Sequence, residues 1–435
     1  MKRVNLLFTL LIFCGLFVQG QVIKRIGDRV KRKVENKAGD KIEKSIDESL
    51  DGKKKTNKKD SAVNDEEDED VVTDKKNEKD NPRETESPES LAVYSKYDFI
   101  PGEKVIAYED FSNAEIGDFP TRWNTNATGE VVTVNSREGK WLKVHQEGVF
   151  HPEFVKELPE NFTLEFDLGV NDGWNSNAFN LNITSLKSPE KFSEYGHYVR
   201  WQGEHTVHLQ FRPAIKSVTA GNSKIIVGKS GNHSINNDVA FTNWNNSTKL
   251  FGHISIWRQN QRLRLYMNGQ KIWDLPKAFE EGTIYNAITF GISGSYKEND
   301  YFLLNNLRLA SGIPDTRNKL ITEGRFVTNG ILFDVNSDVI KAESYGTLKD
   351  IAKVLTENGS IKIKIIGHTD SDGDSQQNED LSRRRALSVK KLLSSEFDID
   401  DERMTTDGKG ESQPVDKNES SVGKANNRRV EFVKI

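Results

Sequence analysis

Apolar and polar residues alternate with a period of two in much of the segment from residue 94 to residue 312. The alternation is clear between Phe162 and Leu168, and it recurs at Ile254–Ile256 and Leu263–Leu265. Such alternation is typical of strands with one buried face, and Asn268-Gly269 supplies the positive φ of a two-residue hairpin turn. Since helical periodicity is almost missing here, residues 94–312 are predicted to form an all-β, two-sheet sandwich of jelly-roll type.

The pattern from residue 325 to residue 435 mixes two periods. Helical spacing of apolar residues predicts helices over 342–355 and 378–393. Shorter apolar runs predict strands over 330–333, 361–366, 404–406 and 430–435. This part of the chain is therefore expected to be a compact α+β domain, with residues 313–324 as a linker.

Residues 21–93 carry segregated charge and few large apolar side chains. No Phe, Trp or Tyr occurs from Val22 to Val93; residues 24–59 hold 14 basic and 7 acidic residues, and residues 60–90 hold 4 basic and 13 acidic residues. Such a segment buries too little apolar surface to offset its conformational entropy. It is predicted to be a disordered or loosely helical tether. A basic amphipathic helix for a membrane surface or a partner is the alternative, because apolar residues recur every four positions from Ile26 to Leu50.

The first twenty residues have the pattern of a secretory signal peptide. Lys2 and Arg3 precede an apolar run from Leu6 to Val18, and the small residue Gly20 follows. The run is shorter than the roughly 20 residues that span a bilayer. We expect an exported chain without a transmembrane span.

Charge and cysteine content limit the partners and metal sites that the chain can be expected to have. The chain has 62 Lys and Arg against 66 Asp and Glu, a net charge of −4, which argues against a nucleic-acid partner. Its single cysteine, Cys14, lies in the predicted signal, so neither a disulfide nor a thiolate metal site is expected. Asp370, Asp372 and Asp374 are spaced as in a calcium loop, but Gly373 and Leu381 fall at the wrong positions. No metal or cofactor is predicted.

The C-terminal segment carries six spaced motifs. These are Phe333–Ser337, Gly367–Gly373, Asn378–Ala386, Gly408–Gly410, Gln413-Pro414 and Gly423–Phe432. In this order and spacing the set closely resembles the OmpA-like peptidoglycan-binding domain. The resemblance implies a small α+β fold, a place in the periplasm at the cell wall and outer membrane, and non-covalent binding of peptidoglycan through the diaminopimelate of its stem peptide.

Diaminopimelate ends in a carboxylate beside an ammonium group. Recognition needs a planar bidentate cation for the carboxylate and a carboxylate for the ammonium, and Arg385 and Asp370 are the matching candidates. The resemblance implies that further residues line the same pocket: Asn336, Thr369, Asn378, Leu381 and Arg428. The alternative is structural, with Asp370 either paired to Arg385 or capping a turn.

The sandwich offers weaker functional signals. Glu165 and Asp167 share one strand face, as in glycosidases of sandwich fold, but Val170 stands where those enzymes carry a further Glu. We therefore expect exposed acids and no catalysis. Four tryptophans either stack on sugars or belong to the core, namely Trp174, Trp201, Trp244 and Trp257.

The sequence thus predicts a non-enzymatic protein that binds the cell wall through its C-terminal domain. A wall-tethered glycan hydrolase with its active site in the sandwich is the alternative. A third interpretation makes the sandwich a spacer, or a module that contacts a glycan or an envelope protein.

Overall fold

A computed structural model describes residues 98–435, apart from residues 136, 146, 190–203, 216–219, 231, 293–298 and 314. The predicted signal over 1–20 and the predicted tether over 21–93 lie outside the described residues, as does Trp201. Both remain predictions. No helix among the described residues combines the length and the hydropathy needed to cross a membrane.

The first part of the described chain consists of two antiparallel sheets, in agreement with the predicted all-β class. Strands are numbered in chain order. The larger sheet contains β1 Lys104–Glu109, β3 Gly129–Val134, β4 Arg137–Val144, β6 Asn161–Val170, β11 Phe251–Gln259, β12 Arg262–Met267, β13 Gln270–Leu275 and β15 Phe302–Ser311. The other sheet contains β2 Trp123–Thr125, β5 Gly148–Pro152, β7 Phe179–Thr184, β8 Thr206–Arg212, β9 Gly221–Lys229, β10 Asn232–Phe241 and β14 Ala287–Ile292.

The core of this region lies between the sheets. The larger sheet has the order β13-β12-β11-β6-β15-β4-β3, with β1 paired to β15. Phe166 of this sheet packs edge-on against Phe290 of the other sheet, with ring centroids 5.3 Å apart. Both rings belong to one buried apolar cluster. A two-sheet sandwich is therefore observed, whereas the jelly-roll class stays a prediction.

The C-terminal domain is a four-stranded sheet covered by helices, as the α+β prediction requires. The sheet has the order β16-β19-β17-β18. Its elements, with helices also numbered in chain order, are α1 Thr316–Ile321, β16 Arg325–Thr328, α2 Tyr345–Glu357, β17 Ile363–Gly367, α3 Ser375–Phe397, β18 Met404–Gly408, α4 Ser421–Asn427 and β19 Val430–Lys434. A second apolar cluster, which includes Leu348, Val389 and Phe432, fills the space between the helices and the sheet.

Two predictions about this domain were wrong. The expected linker contains α1, which Asp315 caps by accepting a hydrogen bond from the Asn318 backbone, and whose Leu320 is fully buried in the C-terminal core. The strand expected over 330–333 lies at Arg325–Thr328 instead. Beyond it, the N–H of Leu332 donates to the Ser344 hydroxyl, so a side chain rather than a sheet neighbour satisfies that backbone group.

Candidate functional site

The loop after β17 lies directly against α3. Gly367, the last residue of β17, allows this approach, since a Cβ there would meet the Ser382 carbonyl oxygen at 2.2 Å. Asp374 then caps α3 by accepting a hydrogen bond from the Gln377 N–H. Strand and helix therefore hold the loop from His368 to Asp374 beside the residues of α3.

Arg385 projects from α3 without a salt-bridge partner among the described residues. Its Nε donates to the Ser337 carbonyl at 2.9 Å, its Nη2 reaches the Asp334 carbonyl at 3.4 Å, and its guanidinium lies 4.9 Å from the Phe333 ring centroid. Unlike Arg384, which pairs with Asp380, Arg385 forms no ion pair with any described residue. Burial, and then the nearby Arg428 charge, lower its pKa to about 10. At neutral pH it is a charged, partly desolvated group suited to a carboxylate ligand.

Asp370 is paired, but with Arg428 rather than with Arg385. Its Oδ2 accepts from Arg428 Nη1 at 2.5 Å, and its Oδ1 accepts from the Asp372 N–H at 3.1 Å. The structural alternative correctly placed Asp370 as the cap of a turn. It was wrong about the ion pair, because Asp370 pairs with Arg428 and not with Arg385. An ionised carboxylate has about four acceptor positions, so these two contacts leave capacity for an ammonium group.

The other predicted residues fall into different roles. Thr369 is buried, and its hydroxyl has no hydrogen-bond partner among the described residues. Asn378 braces the loop, since its Nδ2 donates to the Asp372 carbonyl at 3.0 Å and to Glu411 Oε2 at 2.7 Å. Leu381 is half-buried on α3, and Asn336 is exposed in a turn with a φ of 52°. The structure therefore brings Asp370, Arg385 and Arg428 together and leaves Asn336 at the solvent side.

A cleft of about 100 Å³ opens beside these charges. Its lining includes Arg385, Arg428, Phe333 and His368 from the C-terminal domain. It also includes Tyr108 of β1 and Arg308 of β15, which belong to the sandwich. Sequence reasoning missed Tyr108 and Arg308, because nothing in their local sequence signals that the sandwich lies against this domain.

The acids of β6 are not exposed, contrary to the prediction. Glu165 is 2% exposed; its carboxylate lies 2.5 Å from Arg308 Nη1 and 3.7 Å from His253 Nε2. His253 Nδ1 lies 2.7 Å from Asp167, which also accepts a hydrogen bond from Asn306. Burial alone would lower the pKa of His253, but its contacts with both carboxylates outweigh burial and raise that pKa well above the ordinary 6.5.

The C-terminal domain covers this face of the sheet. Arg308 Nη2 reaches the Asn329 carbonyl at 3.5 Å, and Gly346 of α2 lies so close to the Phe99 carbonyl oxygen that a Cβ would meet it at 2.0 Å. Contact between the domains therefore explains why Glu165 is buried. Sequence alternation shows which residues share a strand face, but not what packs on it.

Of the four candidate tryptophans, the three that the structure describes are buried. Trp174 and Trp244 are fully buried, and Trp257 is 7% exposed. Trp174 and Trp244 belong to the core between the sheets, and Trp257 lies in a separate buried cluster with Phe99 and Tyr266, so none of the three is a platform for sugars. No group of His, Cys, Asp or Glu suited to a metal ion occurs in the described part of the chain.

The C-terminal part is thus a small α+β domain with a cleft lined in part by arginine side chains. Residues 332–428 match the model of the OmpA family, so this part of the chain is an OmpA-like domain.

Outer membrane porin F of Pseudomonas fluorescens is 40% identical over 101 residues, which are 23% of this chain and 31% of the porin. The probable lipoprotein YiaD of Escherichia coli is 39% identical over 104 residues, 24% of this chain and 47% of the lipoprotein. The chain thus spans less than half of either relative. Among solved structures, the peptidoglycan-associated lipoprotein from Burkholderia pseudomallei is 26% identical. The match covers 28% of this chain and 100% of the lipoprotein chain, with a TM-score of 0.24.

Proposed function

We propose that the C-terminal domain binds peptidoglycan non-covalently by holding the free amino-acid end of diaminopimelate. The observation that carries this proposal is Arg385, a guanidinium fixed by two carbonyls and bordering a cleft without a carboxylate partner among the described residues. Because a guanidinium matches a carboxylate bidentately, it receives the carboxylate of the ligand.

Asp370 receives the ammonium of the same ligand centre. It is 8% exposed and held by Arg428, a residue that lines the cleft, so its carboxylate is preorganised. Preorganised charges bind more strongly than mobile ones, because less conformational entropy is lost on binding. The family match over residues 332–428 supports the same ligand class.

The protein as a whole would anchor its sandwich to the cell wall. The names of the relatives, an outer membrane porin and a probable lipoprotein, support a location in the cell envelope. The predicted signal peptide supports export. In this proposal the chain works in the periplasm, at the wall and outer membrane.

We also propose that the chain is not an enzyme. In support, the carboxylates that would serve a glycosidase are engaged: Glu165 with Arg308, and Asp167 with His253 and Asn306. A retaining glycosidase needs one ionised and one protonated carboxyl facing its substrate. Release of reducing ends from β-glucans or peptidoglycan by the full chain, lost in Glu165→Gln, would instead favour the wall-tethered hydrolase.

The test of binding uses a stem tripeptide that ends in meso-diaminopimelate, titrated into the full chain by calorimetry. Arg385→Ala should weaken binding by about 2–5 kcal/mol, since one partner of a charged, hydrogen-bonded pair is removed. The matched control is Arg384→Ala, one residue away on the same helix, whose guanidinium is engaged by Asp380. That variant should bind like the unmodified chain.

A second titration isolates the recognised group. A tripeptide with lysine in place of diaminopimelate keeps the stem, its C-terminal carboxylate and the side-chain ammonium, but lacks the carboxylate beside that ammonium. It should bind the unmodified chain as weakly as the first tripeptide binds Arg385→Ala. Equal binding of the two tripeptides, or full binding by a folded Arg385→Ala chain, would refute the proposal.

A further inference from the structure

The sandwich is fastened to the C-terminal domain at the edge of the cleft. Val105 of β1 donates its N–H to Asn426 Oδ1 at 3.0 Å, and Asn426 Nδ2 returns a hydrogen bond to the Val105 carbonyl at 3.1 Å. The Ser421 hydroxyl donates to the Tyr108 carbonyl at 3.2 Å. Two residues of α4 thus hold the backbone of β1, one at Val105 and the other at Tyr108 itself.

This fastening places Tyr108 against the second guanidinium of the cleft. Arg428 lies 5.1 Å from the Tyr108 ring centroid, as Arg385 lies 4.9 Å from the Phe333 ring centroid. Each cation is therefore backed by one aromatic ring, within the range of a cation–π interaction. One ring comes from the OmpA-like domain and the other from the sandwich.

We propose that the wall-binding site is composite, and that Tyr108 of the sandwich is a ligand-contacting residue that determines its specificity. The inference deepens the proposed function and rests on it. The ligand class is an amino-acid zwitterion carried on an apolar methylene stem. The charged end meets Asp370 and Arg385, and the stem packs between the rings of Phe333 and Tyr108.

The chemistry of the cleft lining supports separate recognition of the charged end of the ligand and of its methylene stem. Tyr108 is half-buried and borders the cleft together with the apolar side chains of Ile331, Leu332 and Phe333. An apolar wall of this kind recognises methylene groups, whereas the charges recognise only the ends of the ligand. Arg428, which donates to Asp370, therefore contacts both the carboxylate and the Tyr108 ring.

The proposal predicts the behaviour of a substitution in the sandwich, outside the OmpA-like domain. Tyr108→Leu in the full chain keeps apolar volume but removes the ring, and should weaken binding of the diaminopimelate tripeptide about 5- to 30-fold. Tyr108→Phe keeps the ring and should bind within about twofold of the unmodified chain. The matched control is Tyr301→Leu, which removes another sandwich tyrosine lying beside a cation, Lys143, outside the cleft. It should leave binding unchanged.

A direct measurement accompanies these variants and does not depend on the folding of Tyr108→Leu. In the unmodified chain, intermolecular NOEs should connect the Tyr108 ring protons, assigned with Tyr108→Phe, to the methylene protons of the tripeptide. Missing NOEs in the saturated complex, or equal losses of affinity in Tyr108→Leu and Tyr301→Leu, would overturn the composite site.

The failure of this proposal is distinguishable from failure of the proposed function. If Arg385→Ala abolishes binding while Tyr108→Leu binds normally, the ligand is held by the C-terminal domain alone and only the composite site is wrong. If the unmodified chain does not bind the tripeptide, both are wrong.

Discussion

At the scale of single residues, two histidines of the sandwich have opposite electrostatic surroundings. His253 lies between Asp167 and Glu165, with the further charges of Glu343, Lys341 and Arg308 around this cluster. Its pKa is raised, because the two carboxylates outweigh the effect of burial. His151 is buried beside the Ile288 carbonyl, and burial lowers its pKa below 6.5. One histidine is therefore protonated at neutral pH, and the other is neutral.

These shifts predict opposite contributions to the pH dependence of stability. A raised pKa means that the folded state binds more protons than the unfolded state, so the stabilisation from His253 is complete below pH 6.5 and is lost as pH rises through the raised value. The contribution of His151 has the reverse sign: it is complete above pH 6.5 and is lost as pH falls through the lowered value.

Urea unfolding of the full chain, from about pH 5 to about pH 9, checks both signs. The free energy of unfolding of the unmodified chain minus that of His253→Gln should give a difference that falls as pH rises above about 6.5. The same subtraction with His151→Gln should give a difference that decreases as pH is lowered below about 6.5. Two difference curves whose slopes against pH have the same sign would contradict the charge assignment of His253.

At the scale of elements, α3 arranges the candidate site by its periodicity. Asn378 and Arg385 are seven residues apart, so they lie within about 20° of each other around the helix. The first braces the loop that carries Asp370, and the second faces the cleft. Asp374 fixes where the helix begins and Asp398, with a φ of 56°, where it ends. The sequence therefore defines the relation between Asn378 and Arg385 without help from the rest of the fold.

The start of α2 depends on its surroundings instead. Alanine in place of glycine ordinarily stabilises a helix by about 0.5–1 kcal/mol. At Gly346 the new Cβ would meet the Phe99 carbonyl oxygen at 2.0 Å. Gly346→Ala should therefore destabilise the full chain by about 1–3 kcal/mol in urea unfolding followed by circular dichroism.

The control for this prediction is Gly359→Ala, just after the same helix. A Cβ at Gly359 meets nothing within 4 Å among the described residues. Its effect should stay within about 0.5 kcal/mol. A stabilising Gly346→Ala would mean that the segment at Phe99 does not pack on α2 in solution.

At the scale of the whole molecule, the described residues belong to one compact unit, Ser95–Ile435. Contacts such as Asn426 with Val105 and Arg308 with Asn329 cross from sandwich to C-terminal domain. All seven tryptophans of the chain lie between residues 123 and 273, and the six that the structure describes lie in the sandwich. Tryptophan fluorescence therefore follows the unfolding of the sandwich alone.

This distribution makes coupling between the domains measurable. If the domains unfold together, a ligand of the C-terminal domain stabilises the sandwich as well. The diaminopimelate tripeptide at 100 times its Kd should raise the free energy of unfolding seen by tryptophan fluorescence by about 2.7 kcal/mol.

Arg385→Ala is the control, because its fluorescence transition should not respond to the tripeptide. A shift in the helical circular dichroism signal of the unmodified chain, without a shift in its fluorescence, would mean that the domains unfold independently.

The sequence by itself determined the classes of both regions and most of the candidate site. Alternation along β6 predicted its buried face, and helical spacing predicted α2 and α3, because these patterns depend on backbone geometry that is local. The spaced motifs around Asp370 and Arg385 identified the OmpA-like domain for the same reason: those residues lie on neighbouring elements of a single small fold.

Only the tertiary structure decided what covers each surface. It buried Glu165, paired Asp370 with Arg428, and brought Tyr108 and Arg308 to the cleft. Contacts of this kind join residues far apart in the chain, such as Val105 and Asn426, so they depend on how the sandwich and the C-terminal domain pack together. A local pattern of apolar and polar residues does not show how domains pack, because a buried polar face whose charges are paired has the same sequence pattern as a solvated one.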